Sequence, residues 1–377
     1  MADKVWSKIK DRLLPNVFKA AEGDAEMRAL VLVHGRAEMS DEVRMPSLSS
    51  TQVLVRVHCY GLSRADRAQA ALLGSVLGKK RADELDGILR RQGAPFGVNV
   101  CGTVVQLGWK GGDRVHMFPI AIGDEVYGFT EGSSSEFVVC EASKVALKPD
   151  SLSDEMAATL PVAGLTALQS LKFNKFGDGQ AIMVLGAQDA TGSLFAQLAL
   201  ELGASRIVAV CEPEFEPYCS TIAGEVYDFD SFDQHIPEMD LIVDVVTSHL
   251  EEKNATLFAR CRETMKPGAH FVAANAGLVD VLRKRATKKL GFDVQRSGFD
   301  AADYSPNSDD LIRVVESLLP GFAIPIDEIP FESEAILDAY AQLHDSPRAT
   351  RPVIVRIWHP SKDLHEVIDR RHTVKRN

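Results

Sequence analysis

Residues 177–211 read GDGQAIMVLGAQDATGSLFAQLALELGASRIVAVC, and the order of signals in this stretch decides the fold. Ala181–Leu185 is a continuous apolar run of strand length. It enters a turn at the small residues Gly186 and Ala187, and a helical pattern runs from Thr191 to Leu202. A second strand, Arg206–Cys211, follows. Strand, tight turn, helix and strand make the unit that holds a dinucleotide. A residue without a bulky side chain lets the backbone bend against a pyrophosphate, while the helix N-terminus offers N–H donors and positive dipole. Gly192 is small enough for helix and strand to pack closely. The strict G-x-G-x-x-G is absent, because Gln188, Asp189 and Ala190 fill its middle, and an ordinary strand-to-helix turn would look much the same. Glu212, about 20 residues beyond Gly192, adds an acid where a ribose diol would be held. The candidate cofactor residues here are Gly186, Ala187, Asp189, Ala190, Thr191, Gly192 and Glu212. Asp189 has two readings: it faces the phosphates and repels them, or it caps the following helix.

Outward from this unit the strand–helix alternation continues. Leu241–Val246 and His270–Ala274 read as further strands, so residues 151 to about 298 predict a parallel sheet with helices on both faces. From Arg28 to Pro149 the pattern is β-rich instead. Ala29–Val33, Gln52–Val57, Gly102–Leu107 and Glu136–Val139 are short apolar runs separated by Gly and Pro turns. Helical periodicity there is confined to Ser63–Leu73 and Ala82–Arg91. Short strands resume in Phe331–Trp358, with Val353–Ile357 the clearest. A chain of 377 residues exceeds what one core organises, so two domains are expected.

The composition excludes several roles. A net charge of −11 argues against nucleic-acid binding, which draws on Lys and Arg. Six cysteines, at 59, 101, 140, 211, 219 and 261, form no Cys-x-x-Cys pair and mostly lie in apolar runs, which fits buried thiols in a reducing, cytoplasmic setting. No apolar run reaches membrane-spanning length. Met1–Ala20 is basic, with Val5, Ile9 and Leu13 on one helical face, and reads either as a packed extension or as a mitochondrial-targeting or membrane-surface helix. Arg370–Asn377 reads as a solvated basic tail.

GDEVYGFTEGSSSEFVVCEASKVALKPDSLSDEMAATLPVAGLTALQSL, residues 123–171, resembles the medium-chain dehydrogenase/reductase superfamily, in particular its zinc-free quinone oxidoreductase and enoyl reductase branch. PFGVNVCGTVVQLG at 95–108, MDLIVDVVTS at 239–248, MKPGAHFVAANAG at 265–277 and ATRPVIVRI at 349–357 fit the same family in the same order. The resemblance spans roughly residues 28–358. It implies an α/β protein with a GroES-like β-rich catalytic domain at 28–150, completed by 331–360, and a Rossmann doubly wound parallel-sheet domain at 151–330. Residues 1–27 and 361–377 would be an extension and a tail. The implied activity is metal-free hydride transfer from NAD(P)H to a quinone or an α,β-unsaturated carbonyl, a small-molecule substrate. The resemblance also implies a homodimer joined along sheet edges, and it adds Thr166 and Val246 to the cofactor set.

Zinc-dependent relatives place a Cys early in the catalytic domain and a Gly-His-Glu some way on. Here His58–Ser63 and Gly97-Val98-Asn99 occupy those regions. His58 and Cys59 would face opposite ways on a regular strand, so no metal is expected. Ser63 and Arg64 stand where the family has its Asn-x-x-Asp segment, Ser63 as a hydrogen-bond donor and Arg64 as a partner for an enolate. A helix cap at Ser63 and a first-turn acid at Asp66 is the competing reading. No Lys or Arg lies between Ile207 and Gly224, which favours NADH over NADPH, unless Lys175 or Arg351 reaches the ribose from elsewhere. The altered loop also leaves open a non-catalytic, cofactor-binding or scaffold relative of the same fold.

Overall fold

The computed structural model describes residues 26–33, 36–63, 97–108, 119–130, 132–233, 238–246, 257, 259–274, 299–302, 304–345 and 351–358. Arg64, Asp66, both helices expected before residue 92, the Met1–Ala20 segment and the basic tail lie outside these residues, Ser63 excepted.

The chain opens with an antiparallel pair, β1 (Glu26–Val33) and β2 (Arg36–Arg44). Next come β3 (Gln52–Gly61), β4 (Asn99–Leu107), β5 (Glu125–Phe129), β6 (Phe137–Glu141) and β7 (Val145–Leu147). Helix α1 (Asp154–Phe173) then leads into the parallel region, which contains β8 (Ala181–Leu185), α2 (Ala190–Glu201), β9 (Arg206–Val210), the short α3 (Glu216–Cys219) and β10 (Glu225–Tyr227). It continues with β11 (Met239–Asp244), β12 (Met265–Ala273), β13 (Phe299–Ala301) and α4 (Ser308–Glu316). The chain returns through β14 (Asp327–Pro330), α5 (Ser333–Asp345) and β15 (Val353–Arg356).

Two sheets result. One has the order β14-β15-β3-β4-β5-β7, with β6 on β3; the other runs β10-β9-β8-β11-β12-β13 and is parallel throughout. The protein is therefore α/β, with a β-rich sheet and a doubly wound parallel sheet. β15 pairs with β3 and β14, which carries the last strand back to the first sheet. β8 is buried at all five positions, as expected of a central strand covered on both faces. His270–Ala274 belongs to a longer strand that begins at Met265, and the sheet edge is β13. β2, reading RAEMSDEVR, was not legible as a strand because its apolar content is too low.

Helix α1 joins the two sheets. Ser153 caps it by accepting from the Met156 N–H, and 14 of its 20 residues are buried. Pro161 inside it cannot donate a backbone hydrogen bond and disturbs the turn before it. The displaced Val162 N–H is met by Asn99 Oδ1 at 3.0 Å. Gly61 makes the approach possible, since a Cβ there would stand 2.6 Å from the Ala158 carbonyl oxygen. Asn99, in the stretch where zinc-dependent relatives carry a ligand, thus repairs a helix. Replacing Asn99 with Ala leaves a partly buried donor without this acceptor and is expected to lower stability by about 1–3 kcal/mol in urea unfolding.

Candidate functional site

Of the expected cofactor residues, Gly186–Gly192, Glu212 and Val246 follow the carboxyl ends of β8, β9 and β11. Gly186, directly after β8, takes φ +86°, a conformation that disfavours any side chain. The N–H groups of Gly186 and Ala187 both donate to the Val210 carbonyl, at 2.7 and 3.3 Å, which ties the turn to β9. Gly192 lies against that turn so closely that a Cβ would sit 2.4 Å from the Gly186 carbonyl oxygen. Asp189 is the cap of α2: its Oδ1 accepts from the Thr191 N–H at 2.8 Å.

Glu212 follows β9 and is half-buried, whereas Glu214 and Glu216 are exposed. Val246 follows β11, and its N–H donates to the buried Asp244 at 2.9 Å. β8 and β11 are neighbours, yet the chain leaves β8 toward β9 on one side and reaches β11 on the other. This is the topological switch point at which open parallel sheets bind their ligands. Thr166 is buried in α1, at 4% exposure. Arg351, remote in sequence, brings its guanidinium to 5.6 Å from the Phe215 ring centroid, three residues beyond Glu212, and pairs with Asp327 at 3.6 Å. Sequence alone had named Arg351 without a route to the ribose segment; the fold supplies one. On the catalytic side only Ser63 is described. It follows β3, and the Leu62 N–H beside it donates to Val353 O at 2.9 Å.

One expectation needs correction. His58 and Cys59 do not point to opposite faces, because the β3–β4 register slips between Val57 and Cys59 and leaves His58 as the extra, bulged residue. Both side chains reach the start of α1. His58 Nδ1 lies 2.9 Å from Asp154 Oδ2, and Cys59 Sγ donates to the Asp154 carbonyl at 3.3 Å. Strict alternation failed here because a bulge resets it, and no short-range signal announces the bulge.

The potential ligand atoms of His58, Cys101 and Asp154 lie within 4.8 Å of one another. Their partners suit an ion-pair network better than a metal. A carboxylate can only accept, so the ring donates from Nδ1 to Asp154, and Nε2 lies 2.8 Å from the Thr103 hydroxyl. Lys148 Nζ stands 3.4 Å and Arg356 Nη1 3.8 Å from the same carboxylate. A metal cation held by His58 Nδ1 and Asp154 would have to replace the hydrogen bond between them, beside two positively charged side chains. Burial disfavours the Asp154 charge, but the hydrogen bond and charge of His58, then Lys148, outweigh it and hold the carboxyl down to about 2. Burial, followed by Cys59 and Asp154, pushes the Cys101 thiol well above its ordinary value.

No family model matches the chain. It is 26% identical over 270 residues to the 2-methylene-furan-3-one reductase of Solanum lycopersicum, a match that takes in 66% of this chain and 64%, just under two thirds, of that protein. It is also 26% identical over 296 residues, 71% of each chain, to the chloroplastic NADPH-dependent alkenal/one oxidoreductase of Arabidopsis thaliana. Among solved structures it superposes on the quinone oxidoreductase from Coxiella burnetii with a TM-score of 0.67 at 19% identity, covering 89% of this chain and 100% of that one.

The Asp154 network should be visible in acid. Its folded-state value lies below the ordinary 3.8, so its contribution is complete above about pH 4 and disappears as pH falls toward 2. The difference corresponds to about 2 kcal/mol. Asp154→Asn should therefore destabilise the protein by about 2 kcal/mol at pH 7. The gap to the unmodified protein, read by urea unfolding, should narrow below pH 4.

Proposed function

We propose that this chain, a member of the medium-chain dehydrogenase/reductase superfamily in its zinc-free quinone oxidoreductase, enoyl reductase and alkenal reductase branch, is an enzyme that reduces quinones or α,β-unsaturated carbonyls with NAD(P)H. The observation that carries this reading is the convergence of the Gly186–Gly192 turn, Glu212 and Val246 at the carboxyl end of the parallel sheet, at its switch point. The residues suit the cofactor. Gly186 and Gly192 bring backbone close to backbone with no side chain between, and α2 begins at the same carboxyl end.

In this reading residues 28–150 with 331–360 form the catalytic domain, 151–330 form the cofactor domain, and the reaction takes place between them. When bound, the cofactor supplies the hydride. The chain binds it through the 186–192 turn, Thr166 and Val246, and holds its adenosine ribose at Glu212. Ser63 donates a hydrogen bond to the substrate carbonyl, and Arg64 stabilises the negative charge that develops on that oxygen. No metal takes part, so purified protein should carry far less than one equivalent of zinc by elemental analysis. No helix among the described residues is long and apolar enough to cross a membrane. A cytoplasmic dimer paired along the β13 edge completes the reading, with mass by light scattering as its check.

Glu212 and Arg351 pull cofactor choice in opposite directions. A carboxylate accepts from both ribose hydroxyls and repels a 2′-phosphate, which a guanidinium attracts. Glu212 directly follows its strand, and Arg351 is half exposed and already faces Asp327, so NADH is the better ligand on this reading. Fluorescence titration tests it. Glu212→Ala should weaken NADH roughly ten- to a hundredfold and leave NADPH unchanged or improved. Arg351→Ala should weaken NADPH alone. Turnover against a panel of quinones and enones tests the reaction class. Tighter NADPH binding in the unmodified protein defeats the ribose assignment, and failure to bind either nucleotide makes the chain a scaffold relative.

A further inference from the structure

The phosphate turn is held from a direction the motif does not predict. Ser193, in the first turn of α2, is fully buried, and its hydroxyl donates to the Ala187 carbonyl at 2.8 Å. Its single proton is thus spent, and its lone pair accepts from the Tyr218 hydroxyl at 2.9 Å. Tyr218 lies on α3, six residues beyond Glu212, with its half-buried ring packed on the core. A chain of two hydrogen bonds therefore links the segment proposed to hold the ribose to the turn proposed to hold the phosphates.

The linkage fixes a peptide plane. With the Ala187 carbonyl turned toward Ser193, the Gln188 N–H of the same planar peptide points to the opposite side. The turn cannot relax inward, since Gly192 already lies against Gly186, and it cannot slide along β9, since two N–H groups hold the Val210 carbonyl. The relay in addition restrains rotation of that peptide. Burial pushes the Tyr218 hydroxyl up to about 12, so it stays a donor throughout the neutral range.

We propose that Tyr218 is a positioning residue for the dinucleotide: through Ser193 it sets the phosphate turn at the spacing from the ribose segment that one continuous ligand requires. The inference rests on the cofactor reading above. The ribose and the pyrophosphate are consecutive parts of one molecule, so a peptide free to rotate at one end costs affinity for the whole without touching the hydride-transfer centre.

The experiment uses the full chain with Tyr218→Phe, Ser193→Ala and the double variant. NADH, NADPH, ADP and adenosine are titrated, and KM and kcat are measured with whichever nucleotide turns over. Tyr218→Phe keeps the ring and should raise Kd and KM for the dinucleotides about five- to tenfold, with kcat changing less than about twofold. ADP, which carries phosphates, should weaken in parallel, and adenosine, which carries none, should not. In the double variant the Phe change should add nothing to Ser193→Ala, because the two act through one chain of bonds. Unchanged dinucleotide binding by Tyr218→Phe, equal weakening of adenosine, or losses that multiply in the double variant would overturn the proposal. An unmodified protein that binds neither dinucleotide would instead overturn the cofactor reading, and this inference with it.

Discussion

A helix buried on nearly every side has to satisfy its charges and its backbone inside the protein, and α1 is the element on which that constraint falls. Its first turn holds Asp154 and Glu155, and water reaches neither freely. The first sheet answers with His58, Lys148 and Arg356, the last of which also reaches Glu155 and Glu328. Halfway along, Asn99 takes over the backbone donor that Pro161 disturbs. Toward the carboxyl end, Gln169 and Lys172 bind Asp310 of α4, at 2.8 and 2.7 Å. Each contact couples α1 to a different part of the chain. The β-rich sheet is locked to its start and the parallel layer packs along its length, so the strand that leads to Ser63 and the strand that leads to Gly186 share one support.

The network at the amino end illustrates how polarity is tolerated in such a place. A lone buried carboxylate would cost several kcal/mol. Asp154 is stable because every partner that approaches it can donate or is positively charged. The hydrogen bonds and positive charges around His58 and Asp154 suit an ion-pair network better than a metal, although three residue types able to ligate one lie together. Residue type alone would mislead here; the decisive facts are which lone pairs are already spent and what charge stands beside them.

How much of this could be read from the sequence depends on the range of the interaction. The β8–α2–β9 unit was legible because a five-residue apolar run, a glycine turn and helical spacing are local signals, and the structure places the strand at Ala181–Leu185 as expected. The placement of Glu212 at the end of β9 followed from the same spacing. The bulge at His58 was not legible, since it reflects the register between β3 and β4 rather than any property of either strand. Asn99 could be seen to stand in a ligand's place, but its bond to Val162 joins residues 63 apart. Arg351 over Phe215, and Tyr218 on Ser193, likewise arise from folding alone.

Asp189 is where local and long-range readings meet. Spacing left two roles for it, and the geometry assigns the cap. A carboxylate at this point still places negative charge within reach of any bound phosphate, at a cost of about 1–3 kcal/mol for a separation of roughly 6 Å near a protein surface. A turn burdened in this way gains little from dipole alone and depends more on how accurately its backbone donors are aimed. Gly186 and Ala187 on Val210, Gly192 against the turn, and Ser193 on the Ala187 carbonyl all restrict that aim. Rigid presentation offsets unfavourable charge because the ordering has already been done when the ligand arrives. The altered motif and the additional anchoring of its turn are, on this argument, two sides of one solution.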